Sequence, residues 1–205
     1  MHPKPTLMPY DPTTLRFYSD EAPVYTASGR GGIGRHLEGF LDLLRPGARI
    51  LELGCGGGSD AELMMKNGFD VHPTDGTPEI AAKAEERLGI PVRTLRFDQI
   101  DQLELYDAVY ASASLLHVPF DNLPLVLAKI HAALIPGGLH FASYKGGGKA
   151  GRDRFGRYFN YLSFAQAQEL YETSAPWADV AVNETTGGGY DGLQGPWLTI
   201  FARKS

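Results

Sequence analysis

Residues 50–60 read ILELGCGGGSD, an apolar run that carries an acid at Glu52 and opens into a loop with four glycines before Ser59 and Asp60. Such a loop between a strand and a helix lets the main chain approach a ligand closely, and in a doubly wound sheet it lies at the carboxyl ends of the strands. What the loop lacks narrows the ligand. A phosphate-gripping loop needs Lys followed by Ser or Thr at the helix start, and here the helix opens on Ser59-Asp60. A dinucleotide fingerprint would put its third glycine at position 59, which is Ser; the glycines fall at Gly54, Gly56 and Gly58 instead. Asp60 would also repel a pyrophosphate at the helix N-terminus. A dinucleotide is an awkward fit that stays open.

Outward from the loop, strand and helix patterns alternate. ARILELG, FDVHPTD, VRTLRFD, YDAVYASAS and LHFASYK read as strands. Helical spacing covers Leu37 to Leu44, Ala61 to Asn67, Pro78 to Leu88 and Leu123 to Leu134, the last closed by IPGG. No helix is expected between Phe97 and Tyr106. Ser163 to Thr173 predicts one more helix, and ADVAVNETT and WLTIFARK, joined without a helix, predict an antiparallel hairpin. The expected fold is α/β: a three-layer, Rossmann-like doubly wound sheet, mostly parallel, with an antiparallel C-terminal strand.

The chain of 205 residues, 43% of them hydrophobic, can bury one core, so a single domain 1–205 is expected. Within it, residues 1–45 form an N-terminal segment that starts as an irregular arm, with five prolines before Gly34, and ends in a helix. Residues 46–145 form the ligand-binding core, and 146–205 an insert, a helix and the hairpin. A formal charge of -5 leaves no broad basic surface for nucleic acid. The single Cys55 cannot form an internal disulfide, and neither a leader pattern nor an apolar run of membrane-spanning length is present, which points to a reducing cytoplasm and no membrane. Monomer and dimer both stay open.

The segment ELGCGGGSDAELMMKNGFDVHPTDGTPEIAAKA resembles the cofactor motif of class I S-adenosylmethionine-dependent methyltransferases, an acidic residue followed by x-G-x-G-x-G. The likeness runs from about Ala48 to Tyr144. It implies that Glu52, Gly54, Cys55, Gly56 and Gly58 shape the cofactor loop, and that Asp75, with Gly76 and Thr77 after it, takes the ribose hydroxyls. LRFDQI looks like the family's adenine segment, with Phe97 beside the ring, Asp98 accepting from the amino group and Gln99 offering its backbone. YDAVYASASLLHVP is similar to the fourth-strand segment, placing Ala111 and Ser112 near the methionine end. RFYSDEAPVYTAS resembles an entry segment whose Tyr18 and Tyr25 cover the cofactor. The chemistry of the residues agrees: a sulfonium nucleoside has no phosphate and needs no cationic loop, and its positive sulfur tolerates acids and aromatic rings.

His117, in LLHVP after the fourth strand, is the candidate catalytic residue, as a general base or as pocket lining. The other histidines, His2, His36, His72, His131 and His140, lack metal-ligand spacing, so no metal is expected. Cys55 has no His near it in sequence and reads as a small buried residue rather than a nucleophile. Arg30 and Arg35 are placed either to assist with a carboxylate or to stand as solvent charges. The basic and aromatic stretch GRDRFGRYFNYLSF either offers Arg152, Arg154, Arg157, Tyr158 and Tyr161 to an anionic or planar acceptor or forms a solvated charged loop. The stretch resembles one in small bacterial methyltransferases of the tellurite-resistance and ubiquinone-biosynthesis-like groups.

The D/N-P-P-Y segment that serves nucleobase amino groups is absent where ASASLLHVP stands. The expected function is methyl transfer from S-adenosylmethionine to a small-molecule acceptor by direct in-line displacement. A nicotinamide-dependent oxidoreductase and a non-catalytic sensor of the same cofactor are the alternatives.

Overall fold

The computed structural model describes residues 8–27, 33–147, 149–190 and 192–205; Arg30, His2 and Gly148 lie outside them. The elements in chain order are α1 (Pro12–Ala27), α2 (Leu37–Leu41), β1 (Arg49–Leu53), α3 (Ser59–Lys66), β2 (Asp70–Asp75), α4 (Pro78–Leu88) and β3 (Arg93–Thr94). There follow β4 (Tyr106–Ala111), α5 (Leu123–Ala133), β5 (Leu134–Lys145), β6 (Gly151–Arg152), β7 (Tyr158–Phe159), α6 (Phe164–Ser174), β8 (Trp177–Gly188) and β9 (Gln194–Lys204).

Among the described residues, seven strands form one sheet in the order β3-β2-β1-β4-β5-β9-β8. Pairings from β3 through β5 are parallel, and β9 enters antiparallel between β5 and β8. The strand order reverses direction between β1 and β4, so their carboxyl ends part and leave a crevice. The mostly parallel sheet and its terminal hairpin are those the alternation predicts.

β1 is buried on both faces, which is why it reads as a continuous apolar run. Ile50 packs with Phe40 of α2 and with Ala61 and Met64 of α3. Leu51 and Leu53 join the opposite core, with Leu127 and Ile130 of α5 and Leu170 of α6. The aromatic rings of Tyr110 and Phe141 stack on the first side at 5.0 Å. None of the described helices is long and apolar enough to cross a membrane.

The expected irregular arm is corrected: residues 12–27 are a helix. Pro12 stands at its first position, where a missing N–H costs nothing, and Asp11 caps it by accepting from Thr14 N at 2.8 Å. Pro23 lies inside the helix, its ring on the exposed side, and removes one ladder bond. Side chains on the other side, Ala22 among them, bury themselves against the body of the protein. Tertiary packing thus overrides the proline signal.

Smaller differences follow the same logic. The helix expected over 37–44 closes after five residues, and VRTLRFD pairs only at Arg93–Thr94 before a 3₁₀ turn over Phe97–Gln99. β5 begins at Leu134 and crosses Pro136-Gly137 with a shift in register rather than starting after them. The helix over 164–174 is capped as predicted, with Ser163 Oγ accepting from Gln166 N.

Candidate active site

The glycine loop turns sharply as it leaves β1. Gly54 has φ +76, and a Cβ there would stand 2.6 Å from Ser114 Cβ; Gly56 has φ +54 with the Tyr25 ring 3.6 Å away. These are main-chain shapes that a side chain would strain. Gly58 has φ +79 and caps α3, and a Cβ there would stand 3.1 Å from the Leu88 side chain of α4, so the bare position serves packing between helices.

Two cavities flank this loop and share Tyr25, Gly54, Gly56 and Ala113 as their common wall. The larger, about 300 Å³, reaches past Glu52 and Asp60 toward Ser143, Trp197 and Thr199. The smaller, about 90 Å³, is bounded by Asp75, Gly76, Thr77, Phe97, Asp98 and Tyr18.

Glu52 is buried, and its Oε2 has no hydrogen-bond partner. Burial first, then the nearby Asp60 and Asp75, push its carboxyl well above the usual range. Asp60 is bound by Gly34 N at 2.7 Å and by the Tyr110 hydroxyl at 3.1 Å, and burial raises it as well. An acid with an unmet acceptor among other acids is a site for a cationic donor.

Asp75 ends β2, held in place because Thr74 Oγ1 donates to Glu52 O across the strand pair at 2.7 Å. Its Oδ1 accepts from Thr77 N at 3.0 Å and Thr77 Oγ1 at 2.7 Å, while Oδ2 accepts from Gly56 N at 3.2 Å. Burial still leaves the carboxyl above its ordinary pKa.

The structure sorts the other expected site residues. Phe97, Gly76 and Thr77 line the smaller cavity with Asp75, and Ser112 lines the larger. Ala111 is enclosed in the core beside it. Asp98 faces the smaller cavity but is gripped by Arg96 at 3.0 and 3.1 Å, and Gln99 turns its side chain back to cap Arg96 N. The Arg96 guanidinium lies over the Tyr10 ring at 4.6 Å. Cys55 is buried in the loop, and burial, then Glu52, push its thiol well up, which disfavours the thiolate.

α1 brings Tyr18 and Tyr25 over the loop, their rings edge to face at 5.0 Å. Burial holds both phenols protonated, that of Tyr25 pushed up to about 12. His117 lies in the 3₁₀ turn after β4, with Nε2 2.8 Å from the Tyr18 hydroxyl and Nδ1 2.7 Å from Tyr158 O. Burial lowers its pKa to about 4.

The arginines and tyrosines expected to receive an acceptor lie outside the two cavities beside the glycine loop. Arg154, Arg157, Tyr158 and Tyr161 line neither cavity. Arg157 is 2% exposed and paired with Asp153 at 2.7 Å. Arg152 pairs with Asp11 at 2.7 Å, Arg154 lies over the Phe155 ring, and Tyr161 stacks on Phe159. An ion pair formed within the chain has already neutralised the charge an anion would seek. The wall that sequence reasoning missed is built by Ser143 of β5 and Thr199 of β9, which are directly opposed in the antiparallel ladder. Trp197, Thr185 and His36 continue it, with Arg35, whose Nη1 donates to Thr186 O at 2.7 Å. No spacing signals this set, because a strand pairing assembles it from distant segments.

Comparison with known proteins places this geometry in context. A family model described as "Methyltransferase domain" matches residues 27–171. A ubiquinone biosynthesis O-methyltransferase of Xanthomonas campestris pv. campestris (strain B100) is 35% identical over 106 residues, which cover 48% of this chain and 43% of that protein. The chain thus spans less than half the length of this curated relative. Among solved structures, Burkholderia thailandensis 1,6-didemethyltoxoflavin-N1-methyltransferase, with 1,6-didemethyltoxoflavin and S-adenosylhomocysteine bound, is similar at TM-score 0.73. It is 22% identical, and the match covers 100% of this chain and 93% of that one. A Haemonchus contortus phosphoethanolamine N-methyltransferase 2, solved in complex with S-adenosyl-L-methionine, gives TM-score 0.74 at 17% identity, over 99% of this chain and 61% of that one. At these identities the solved structures share the fold. With the family model covering most of the chain, from the last residue of α1 through much of α6, the protein belongs to the methyltransferase domain family.

Proposed function

We propose that the protein is an S-adenosylmethionine-dependent methyltransferase acting on a small-molecule acceptor. The observation that carries this reading is Glu52: a buried acid with an unpartnered oxygen, beside a glycine loop that has no Lys or Arg of its own, the nearby Arg87 being paired with Glu62. The residues fit the cofactor. Glu52 and Asp60 offer acceptors to an ammonium group, and the bare main chain at Gly54 and Gly56 makes room for the sulfonium nucleoside. Asp75 offers its carboxylate to the ribose, and Phe97 and Asp98 flank the space left for the purine. When bound, the cofactor supplies an activated methyl group. The chain's own part is to exclude water with Tyr18 and Tyr25 and to align a nucleophile against that methyl.

The larger cavity extends beyond Glu52 to Ser143, Thr185, Trp197 and Thr199, and we assign the acceptor to that end. A flat face on Trp197 and hydroxyls from three strands suit a planar, polar molecule that accepts and donates hydrogen bonds. Arg35 at the rim favours an anionic substituent. With a formal charge of -5, the protein is not built for a nucleic acid, and the reading assigns it to the cytoplasm.

Calorimetric titration with S-adenosylmethionine, S-adenosylhomocysteine and NADH tests the cofactor. Micromolar binding of the first two without NADH is expected; NADH binding alone would return the oxidoreductase reading. Methyl transfer from labelled cofactor into a panel of phenols and planar heterocycles then tests the activity, and binding without transfer to any of them favours a sensor.

A further inference from the structure

The hydrogen bonds around His117 admit one arrangement of protons. Tyr158 presents a carbonyl, which only accepts, so His117 Nδ1 carries a hydrogen and donates it across 2.7 Å. In the neutral ring Nε2 then holds a lone pair, and the Tyr18 hydroxyl donates to it at 2.8 Å. Arg157 Nη1 donates to the same phenol oxygen at 2.9 Å. A guanidinium only donates, so the phenol proton is directed to the imidazole. The other edge of Arg157 meets Asp153 Oδ2 through Nε at 2.9 Å and Nη2 at 2.7 Å.

Arg157 and Tyr158 are consecutive, so a cation and a carbonyl from adjacent residues close the two ends of a chain that runs through α1 and the 3₁₀ turn. The guanidinium sits among the rings of Phe17, Phe155, Phe159 and Tyr190, at 5.0 to 5.5 Å. Both partners of the ion pair are nearly excluded from solvent, at 2% and 4% exposure. The charged groups that act on the His117 ring are Arg157, Asp153 and Lys145, the last over the Phe159 ring at 4.8 Å. Asp153 is engaged by Arg157. A proton added to Nε2 would therefore face two cations, break the bond from Tyr18 and gain no free acid.

We propose that Arg157 is a positioning residue that fixes the Tyr18 hydroxyl on His117 Nε2 and so holds the imidazole neutral, as a strut for the cavity wall instead of a base for the acceptor. This rests on the methyl-transfer reading insofar as that wall faces a cofactor. It requires an acceptor whose nucleophilic atom is already an anion, or loses its proton elsewhere than to His117.

The test is a pH titration of the His117 ring nitrogens by ¹H–¹⁵N spectroscopy of histidine-labelled protein without ligands. The variants are Tyr18→Phe, and Asp153→Asn with Arg157→Gln, which removes both charges of the buried pair together. The wild-type ring is expected as the Nδ1–H tautomer with a midpoint near 4. Tyr18→Phe removes the donor to the Nε2 lone pair, so its midpoint is expected to rise by about one unit or more; the double variant removes Arg157, whose charge lowers the midpoint, together with Asp153, whose charge raises it, and is expected to rise by less. A wild-type Nε2–H tautomer, or a midpoint unmoved in folded Tyr18→Phe protein, overturns the proposal. Tyr18→Phe leaves the buried pair intact and so decides the matter even where the double variant does not fold. The readout needs neither cofactor nor acceptor, so it separates failure of this inference from failure of the methyltransferase reading.

Discussion

Asp75 Oδ2 accepts the main-chain N–H of Gly56 at 3.2 Å, which fastens the end of β2 to the middle of the glycine loop. The same carboxylate that is to hold a ribose therefore also shapes the loop that is to hold the sulfonium end. Asp75→Ala is expected to weaken S-adenosylmethionine binding by about 3 kcal/mol, on the order of 100-fold, through loss of charged hydrogen bonds. Asp75→Asn keeps an acceptor toward Thr77 but can turn an amide N–H against Gly56 N, and should recover only part of the loss. Titration calorimetry on folded variants measures both, and unchanged affinity in Asp75→Ala would move the nucleoside elsewhere.

Glu52 makes binding depend on pH. Its folded-state pKa is raised, chiefly by burial, so the folded chain holds a proton where the unfolded chain has released it. Stability of the ligand-free protein should therefore fall as pH rises from the ordinary carboxylate range toward the raised value, and Glu52→Gln should flatten that fall. A cationic ligand favours the ionised acid, so cofactor binding should release up to about one proton, and affinity should climb through the same window. Calorimetry in buffers of different ionisation enthalpy reads the proton, and its persistence in Glu52→Gln would assign it to another group.

The loop glycines are not equivalent. Gly54→Ala sets a Cβ 2.6 Å from Ser114 Cβ at φ +76, and should cost about 2–4 kcal/mol of stability. Gly57→Ala meets Thr26 only at 3.6 Å, an ordinary contact, and should lie within about 0.5 kcal/mol of wild type. Urea unfolding of the two variants checks the contrast, and equal losses would mean that the close approach at Gly54 is not what holds the loop.

Thr199→Val keeps the shape of the buried wall opposite Ser143 and deletes its hydroxyl. With a turnover assay in hand, the acceptor KM should rise roughly three- to tenfold, as for one lost hydrogen bond, while cofactor affinity stays within about twofold. Arg154→Ala, whose side chain lies over Phe155 away from both cavities, should leave acceptor KM within about twofold. The reverse pattern would return the acceptor to the insert.

Local rules were enough for the sheet and the loop. β1 ends where Gly54 must take a positive φ, α4 starts on Pro78 after Thr77, and α6 starts on the Ser163 cap, each set by residues within a few positions of one another. The terminal hairpin was legible for the same reason: two strand patterns with no helix between them must pair antiparallel. Partnerships between distant segments were not legible. Pro23 argued against a helix that the body of the protein holds in place, Arg157 looked available to an anion until Asp153 and a ring of aromatic side chains closed around it, and Thr199 gained its place only by lying opposite Ser143. Spacing along a chain encodes backbone shape and alternating burial, whereas which charge is neutralised and which hydroxyl faces a cavity depends on groups brought together by packing. Sequence alone therefore determined the doubly wound sheet and the place of its ligand loop, and the tertiary structure decided which side chains remain able to meet a ligand.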